Sequence, residues 1–143
     1  MSATPVRIGI IGCGKIATCS HIPGFLKAPA TQVTALFDTE RPRAEAAQKS
    51  LAPGAAAFTE YEALLKSEAV DAVSVCTPNF LHHPMTLAAL KAGLHVLCEK
   101  PMAATLSEAD EMIRAAKKAR RVLQINQSCR YSPSYRSYVS CGY

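Results

Sequence analysis

Apolar positions along this chain gather into short, nearly continuous runs, and the stretches between them carry apolar residues at helical spacing. "VRIGII" (6–11), "QVTALFD" (32–38), "VDAVSVCT" (70–77), "LHVLCEK" (94–100) and "VLQIN" (122–126) are rich in β-branched residues and read as buried strands, with a short sixth candidate over 56–58. A helix is expected from Lys15 to about Lys27, bent near Pro23. "RPRAEAAQKSL" reads as a helix with Pro42 in its first turn. Thr59 and Glu62 have the spacing of a capping box, which predicts a helix start in "TEYEALLKS". Pro84 opens "PMTLAALKA", and Gly93 stands at its C-cap. Thr105 and Glu108 form a second capping-box pair. The helix they begin aligns Leu106, Ala109, Met112, Ile113, Ala116 and Ala119 on one face. Arg120 stands where a C-capping glycine is more usual, so this helix is expected to end less cleanly.

Strands that are apolar throughout are covered on both faces, which calls for a parallel sheet between layers of helices. Six alternations of strand and helix with right-handed crossovers give a doubly wound α/β sheet of order 3-2-1-4-5-6, as a single domain. The periodicity stops at Gln127, so residues 1–126 form the domain and 127–143 a truncated connector.

Composition narrows the class. With 143 residues and 49% apolar side chains the chain builds one core and is not disordered. Six cysteines without a CxxC pair predict reduced thiols in a cytoplasm rather than a disulfide framework or a zinc site. No run is long enough for a signal h-region or a membrane span, so no membrane partner is expected. The net charge is +5, yet all eleven acids lie in 1–111, while 112–143 hold seven basic residues. A basic tail can touch nucleic acid. A solvated helix face followed by the connector is the favoured account, and no nucleic-acid partner is expected.

Candidate chemistry collects at the ends of the predicted strands. Gly12-Cys13-Gly14-Lys15-Ile16-Ala17 fits G-x-G-x-x-[GA] after a strand and before a helix, the context the motif requires. Gly12 permits the sharp turn, Gly14 lets the backbone approach a diphosphate, and Ala17 keeps the helix close to the sheet. The alternative is a plain strand-to-helix turn. Asp38, ending the second strand, is placed to accept the ribose hydroxyls of NAD, or to cap the following helix. Arg41 and Arg43 stand near enough to support the 2′-phosphate of NADP instead. Thr77, Pro78 and Asn79 follow the fourth strand, at the switch point where such folds bind ligands. His82 and His83 are adjacent and do not share a ligand face, so no metal is expected. Glu99-Lys100-Pro101 puts an ammonium at the mouth of the same crevice. There Lys100, its proton affinity lowered by burial, can serve a substrate hydroxyl, unless it is only a surface strand exit. Pro101 fixes the turn, with a cis bond as one option.

Together "GIIGCGKIA", Asp38, "VSVCTPNFLHHPMTLAALKAGLHVLCEKPMA" and "VLQINQSCRYSP" resemble the Gfo/Idh/MocA family of NAD(P)-dependent oxidoreductases over residues 5–136. The resemblance implies an N-terminal Rossmann domain, followed in the family by a larger α/β domain with an open antiparallel sheet. It implies hydride transfer between NAD, or NADP, and a sugar- or polyol-like substrate, with Lys100 as the catalytic lysine. It places Gly12, Gly14, Lys15, Ile16, Asp38, Thr77, Asn79, His82 and Glu99 on or beside the cofactor, with Cys13, Pro78 and Arg43 in the same loops. Asn126 and Arg130 fall where the chain enters the active site. The family's second domain supplies further proton-transfer residues and the oligomer interface, so this chain is expected to be the cofactor-binding part with little turnover alone. Alternatively it is a non-catalytic NAD(P)-binding fragment; a homo-oligomer remains open.

Overall fold

The computed structural model describes residues 4–132, and the expectations that fall on 133–143 lie outside the described residues. Six strands run parallel: β1 (Val6–Ile11), β2 (Thr31–Phe37), β3 (Ala56–Phe58), β4 (Ala72–Val75), β5 (His95–Cys98) and β6 (Leu123–Ile125). Their order is β3-β2-β1-β4-β5-β6, as the alternation predicts. The helices between them are α1 (Ile22–Lys27), α2 (Arg41–Leu51), α3 (Tyr61–Lys66), α4 (His82–Lys91) and α5 (Leu106–Ala119).

Alternating side chains of the strands feed two cores. Ile8 and Ile10 of β1 point with Val33 and Leu36 toward Ile22, Ala44 and Ala47 of α1 and α2. Ile11 joins Ala35, Phe37, Val73 and Val75 against Leu64, Leu90, Met112 and Ala116 of α3, α4 and α5. Burying one such aliphatic side chain contributes about 1.5–3 kcal/mol, so the two cores hold the layers to the sheet. From β1 the chain winds outward to β2 and β3, then crosses back to β4 and winds the other way. Folds of this topology bind ligands at the carboxyl ends of the strands, where the loops on either side of that reversal part.

Three local details differ from the sequence reading. The capping box of Thr59 and Glu62 is not formed: α3 begins at Tyr61 with Glu60 in extended backbone and no side-chain cap. Tyr61 is anchored, its ring 5.4 Å from that of Phe37 and its hydroxyl donating to the Met85 carbonyl at 2.8 Å, and this fixes the helix start. On α5 only Met112 and Ala116 are fully buried; Leu106 and Ile113 are exposed, because the stripe is wider than the part of the sheet it meets. The helix expected from Lys15 to Lys27 exists but widens into a π-turn over Ala17–His21, closed by the Ile22 N–H on the Ala17 carbonyl. In a regular α-turn the Pro23 ring would press on the carbonyl of Cys19; the wider turn relieves that contact just where a bend was expected.

Candidate dinucleotide site

β1 ends in a loop whose first residue is forced to be glycine. Gly12 has φ +91°, and a Cβ there would lie 3.1 Å from the Cys76 carbonyl oxygen and 3.2 Å from Thr77 Cγ2. The Gly12 N–H donates to the Phe37 carbonyl at 2.8 Å, tying the loop to the end of β2. Gly14 is the opposite case: a Cβ there would meet nothing within 4 Å. The first backbone N–H to find a helical carbonyl is that of Thr18, on Gly14, at 3.0 Å. The N–H groups at the start of the helix, from exposed Lys15 and Ile16, therefore face outward over an open cradle. That arrangement suits an anion.

Asp38 is buried at 6% exposure and is tied into this loop. One carboxylate oxygen accepts the Cys13 N–H at 2.9 Å and the other accepts the Glu40 N–H at 2.9 Å. Each oxygen keeps a free lone pair for a further donor. The Cys13 amide is thus committed to Asp38. Its thiol, pushed up to about 12 by burial and then by the Asp38 charge, is a core group rather than a nucleophile. Arg43 stands exposed on the first turn of α2 and pairs with Glu40 at 3.0 Å.

Beyond β4, Thr77 Oγ1 is buried without any hydrogen-bond partner, next to the place where Gly12 lacks a Cβ. A buried hydroxyl is normally satisfied, so this one marks a spot where a polar ligand fits. Pro78 and Asn79 are exposed beside it, Asn79 opening a short 3-10 turn. His82, only 1% exposed, lies beneath this surface: Nε2 is 3.0 Å from the Thr77 carbonyl and Nδ1 is 2.7 Å from the Pro101 carbonyl. Its ring clips the loop after β4 to the loop after β5.

Past β5, the expected burial falls on Glu99 and not on Lys100. Lys100 is exposed, and its peptide bond to Pro101 is cis. Glu99 is 6% exposed and receives three donors: Asn126 Nδ2 at 2.6 Å and His21 Nε2 at 2.7 Å on one oxygen, and the Lys100 N–H at 3.1 Å on the other. Burial raises its proton affinity, but the hydrogen bonds from Asn126, His21 and the Lys100 amide outweigh it, so the carboxyl lies below the usual range. Asn126 is therefore committed to Glu99, and Arg130 stands exposed in a 3-10 turn over Ser128–Tyr131. The sequence reading passed over His21 and Ser74. Ser74 carries a signal, as a lone polar residue inside the apolar run "AVSVC"; His21 carries none, since it lies beside Thr18 and Ser20 in "ATCSHIPGF". Among the described residues no three His, Cys, Asp or Glu side chains cluster as a metal site would require.

A doubly wound parallel sheet with a glycine turn after β1, an acid after β2 and an open cradle at the switch point defines a dinucleotide-binding α/β domain. Residues 6–127 match the family model described as "Oxidoreductase family, NAD-binding Rossmann fold" (GFO_IDH_MocA), and the chain belongs to that family as its NAD-binding domain. It is 37% identical over 123 residues to a D-glucoside 3-dehydrogenase of Escherichia coli K12, covering 86% of this chain and 35% of that protein. It is 40% identical over 133 residues to a 1,5-anhydro-D-fructose reductase of Ensifer adhaerens, covering 92% of this chain and 39% of the relative. The chain thus spans well under half the length of these curated relatives. A solved 3-ketoreductase from Actinomadura kijaniata, in complex with NADP and TDP-benzene, superposes with a TM-score of 0.90 at 33% identity, over 96% of this chain and 42% of that one. The WlbA dehydrogenase of Bordetella pertussis, in complex with NADH and UDP-GlcNAcA, gives 0.81 at 28% identity, over 87% and 36%.

Proposed function

We propose that this chain holds NAD by its diphosphate over Gly12–Ala17 and presents it to Lys100, as the cofactor half of an enzyme that oxidises or reduces a sugar- or polyol-like alcohol. The orphaned Thr77 hydroxyl beside Gly12, with the open position at Gly14 two residues on, is the observation that carries the reading, because both features fit a polar ligand in a domain of an NAD-binding family. A bound nicotinamide supplies the hydride chemistry. The chain supplies placement and a proton site. Backbone N–H groups at Lys15 and Ile16 stabilise phosphate charge, and Asp38 accepts ribose hydroxyls with its remaining lone pairs. That same carboxylate repels a 2′-phosphate and favours NAD, while Arg43 offers NADP a partner. Lys100 Nζ, as the neutral amine, accepts a hydrogen bond from the substrate hydroxyl and takes its proton as the alcohol is oxidised; as the ammonium it returns that proton in the reverse direction.

A second reading, that the 143-residue chain binds the dinucleotide without turnover, is favoured by its covering only 35–39% of the curated relatives' length. Calorimetric titration with NADH and NADPH, on the wild type and Lys100→Ala, separates the two. Retained binding with turnover lost only in the variant supports catalysis; binding without turnover in both supports the second reading. Failure of the folded wild type to bind either cofactor at millimolar concentration sinks both. We assign the protein to a reducing compartment such as the cytoplasm, because among the described residues Cys13, Cys19, Cys76, Cys98 and Cys129 form no disulfide with one another. Among the described residues no helix is long and apolar enough to cross a membrane. Exposed Ile113 and Val122 beside edge strand β6 offer an apolar face for self-association, which sedimentation would detect.

A further inference from the structure

Two polar side chains that the proposed function does not use lie at the centre of the molecule. His21 closes the π-turn and is 6% exposed; Ser74 sits in the middle of β4 and is fully buried. The imidazole Nδ1 is 2.8 Å from Ser74 Oγ, and Nε2 is 2.7 Å from Glu99 Oε1. Asn126 Nδ2 reaches the same Glu99 oxygen at 2.6 Å, and Lys100 N–H reaches the other at 3.1 Å. One connected cluster therefore joins the helix that follows the glycine turn, the middle of β4, the exit of β5 and the exit of β6.

Hydroxyl, imidazole and carboxylate in this order make up an acyl-transfer relay elsewhere. Here no substrate can reach the hydroxyl, because Ser74 has no exposed surface. The relay leads inward and ends on Glu99, beside Lys100. Such a buried polar cluster is tolerable only when every member is paired, and this one is. The ring has a partner at each nitrogen, the carboxylate has three donors, and the serine hydroxyl turns to donate or accept as the ring requires. Held by three donors from three directions, the Glu99 carboxylate is fixed in one orientation. That orientation fixes the backbone N–H of Lys100. The π-turn makes this possible, since its extra residue brings His21 inward while Lys15, Ile16, Cys19 and Ser20 stay exposed.

We infer that His21 is a positioning residue for Lys100: it holds the Glu99 carboxylate so that the peptide carrying the lysine leaves β5 in a single orientation, and it ties that exit to the segment that begins at the glycine turn. The lysine's role rests on the function proposed above; the positioning itself does not require a bound dinucleotide.

Amide hydrogen exchange of the 143-residue chain tests this directly. The Lys100 amide is read by NMR in the wild type, His21→Ala, His21→Gln and Ser74→Ala, with the amides of β1 and β2 as internal reference. The expected result is exchange at Lys100 about tenfold faster in His21→Ala, with the reference amides within about twofold, since a charge-assisted hydrogen bond to the anchoring carboxylate is lost. His21→Gln, which keeps an N–H donor for Glu99, restores most of the protection. A role in general packing would speed all these amides together, and that outcome overturns the inference, as does an unchanged Lys100 amide in folded His21→Ala. If His21→Ala does not fold, Ser74→Ala decides: freeing Nδ1 loosens the ring, and exchange about threefold faster is expected at Lys100 alone; no change overturns the inference. A wild type that protects its Lys100 amide yet ignores NADH would sink the proposed function and leave the positioning role standing.

Discussion

Gly12 and Gly14 stand two residues apart, and a methyl group added to each is expected to fail in a different way. At Gly12 the backbone is left-handed, with φ +91°, and the new Cβ meets the Cys76 carbonyl oxygen at 3.1 Å. Strained backbone and a contact with rigid main chain cost about 2–3 kcal/mol together. Gly12→Ala therefore lowers Tm by roughly 5–10 °C, read by calorimetry. At Gly14 the Cβ meets nothing, so Gly14→Ala changes stability by less than about 0.5 kcal/mol. It does occupy the cradle that the diphosphate needs, and NADH affinity drops by about tenfold or more, on the order of 1.4 kcal/mol. A Gly14→Ala chain that binds NADH like the wild type would show that the diphosphate does not rest there.

Helix ends show where local patterns decide structure and where long-range contacts override them. Thr105 and Glu108 cap α5 as their spacing predicts, the Thr105 hydroxyl accepting the Glu108 N–H at 3.2 Å and the Glu108 carboxylate accepting the Thr105 N–H at 3.1 Å. The same spacing at Thr59 and Glu62 does not, because Tyr61 is anchored from another part of the chain. At its other end α5 closes on Arg120 in left-handed backbone, φ 54°, with its N–H on the Ala116 and Lys117 carbonyls. The helix therefore ends in the glycine-type geometry without the glycine. Arg120→Gly is expected to add about 0.5–1 kcal/mol by removing that strain, raising Tm by about 2–4 °C in a thermal melt. A lower Tm would mean that the arginine side chain contributes more than its backbone costs. What was legible in the sequence follows the same division. The glycine turn, Asp38 and Glu99–Lys100 are local motifs and follow β1, β2 and β5 as their spacing predicts, although the burial expected of Lys100 falls on Glu99. The cluster around Glu99 was not legible, since His21 and Asn126 lie 78 and 27 residues from it in sequence and only the parallel alignment of the strands brings them together. His82, which the resemblance places on or beside the cofactor, likewise has partners that its motif does not reveal, the carbonyls of Thr77 and Pro101.

Parallel strands give the whole molecule two unlike edges. Every candidate group from Gly12 to Asn126 lies at the carboxyl edge, while the opposite edge carries an ion pair between Arg7, near the start of β1, and Asp71, just before β4. The Arg7 guanidinium and backbone N–H together bring the Asp71 carboxyl down to about 2. Both side chains are 43% exposed, so solvent screens the pair and its contribution to stability is small. The native carboxyl binds its proton less readily than the unfolded one. The pair's contribution is therefore fully present above about pH 4 and fades as pH falls toward 2. Asp71→Asn is expected to destabilise the chain by less than about 1 kcal/mol at pH 7 in urea unfolding, with the difference from wild type vanishing near pH 2. NADH affinity at pH 7 is expected to stay unchanged, because the pair and the cradle share no element end. If affinity fell together with stability, the two edges would be coupled through the sheet, and dinucleotide binding would depend on the whole layer rather than on the loops at one end of it.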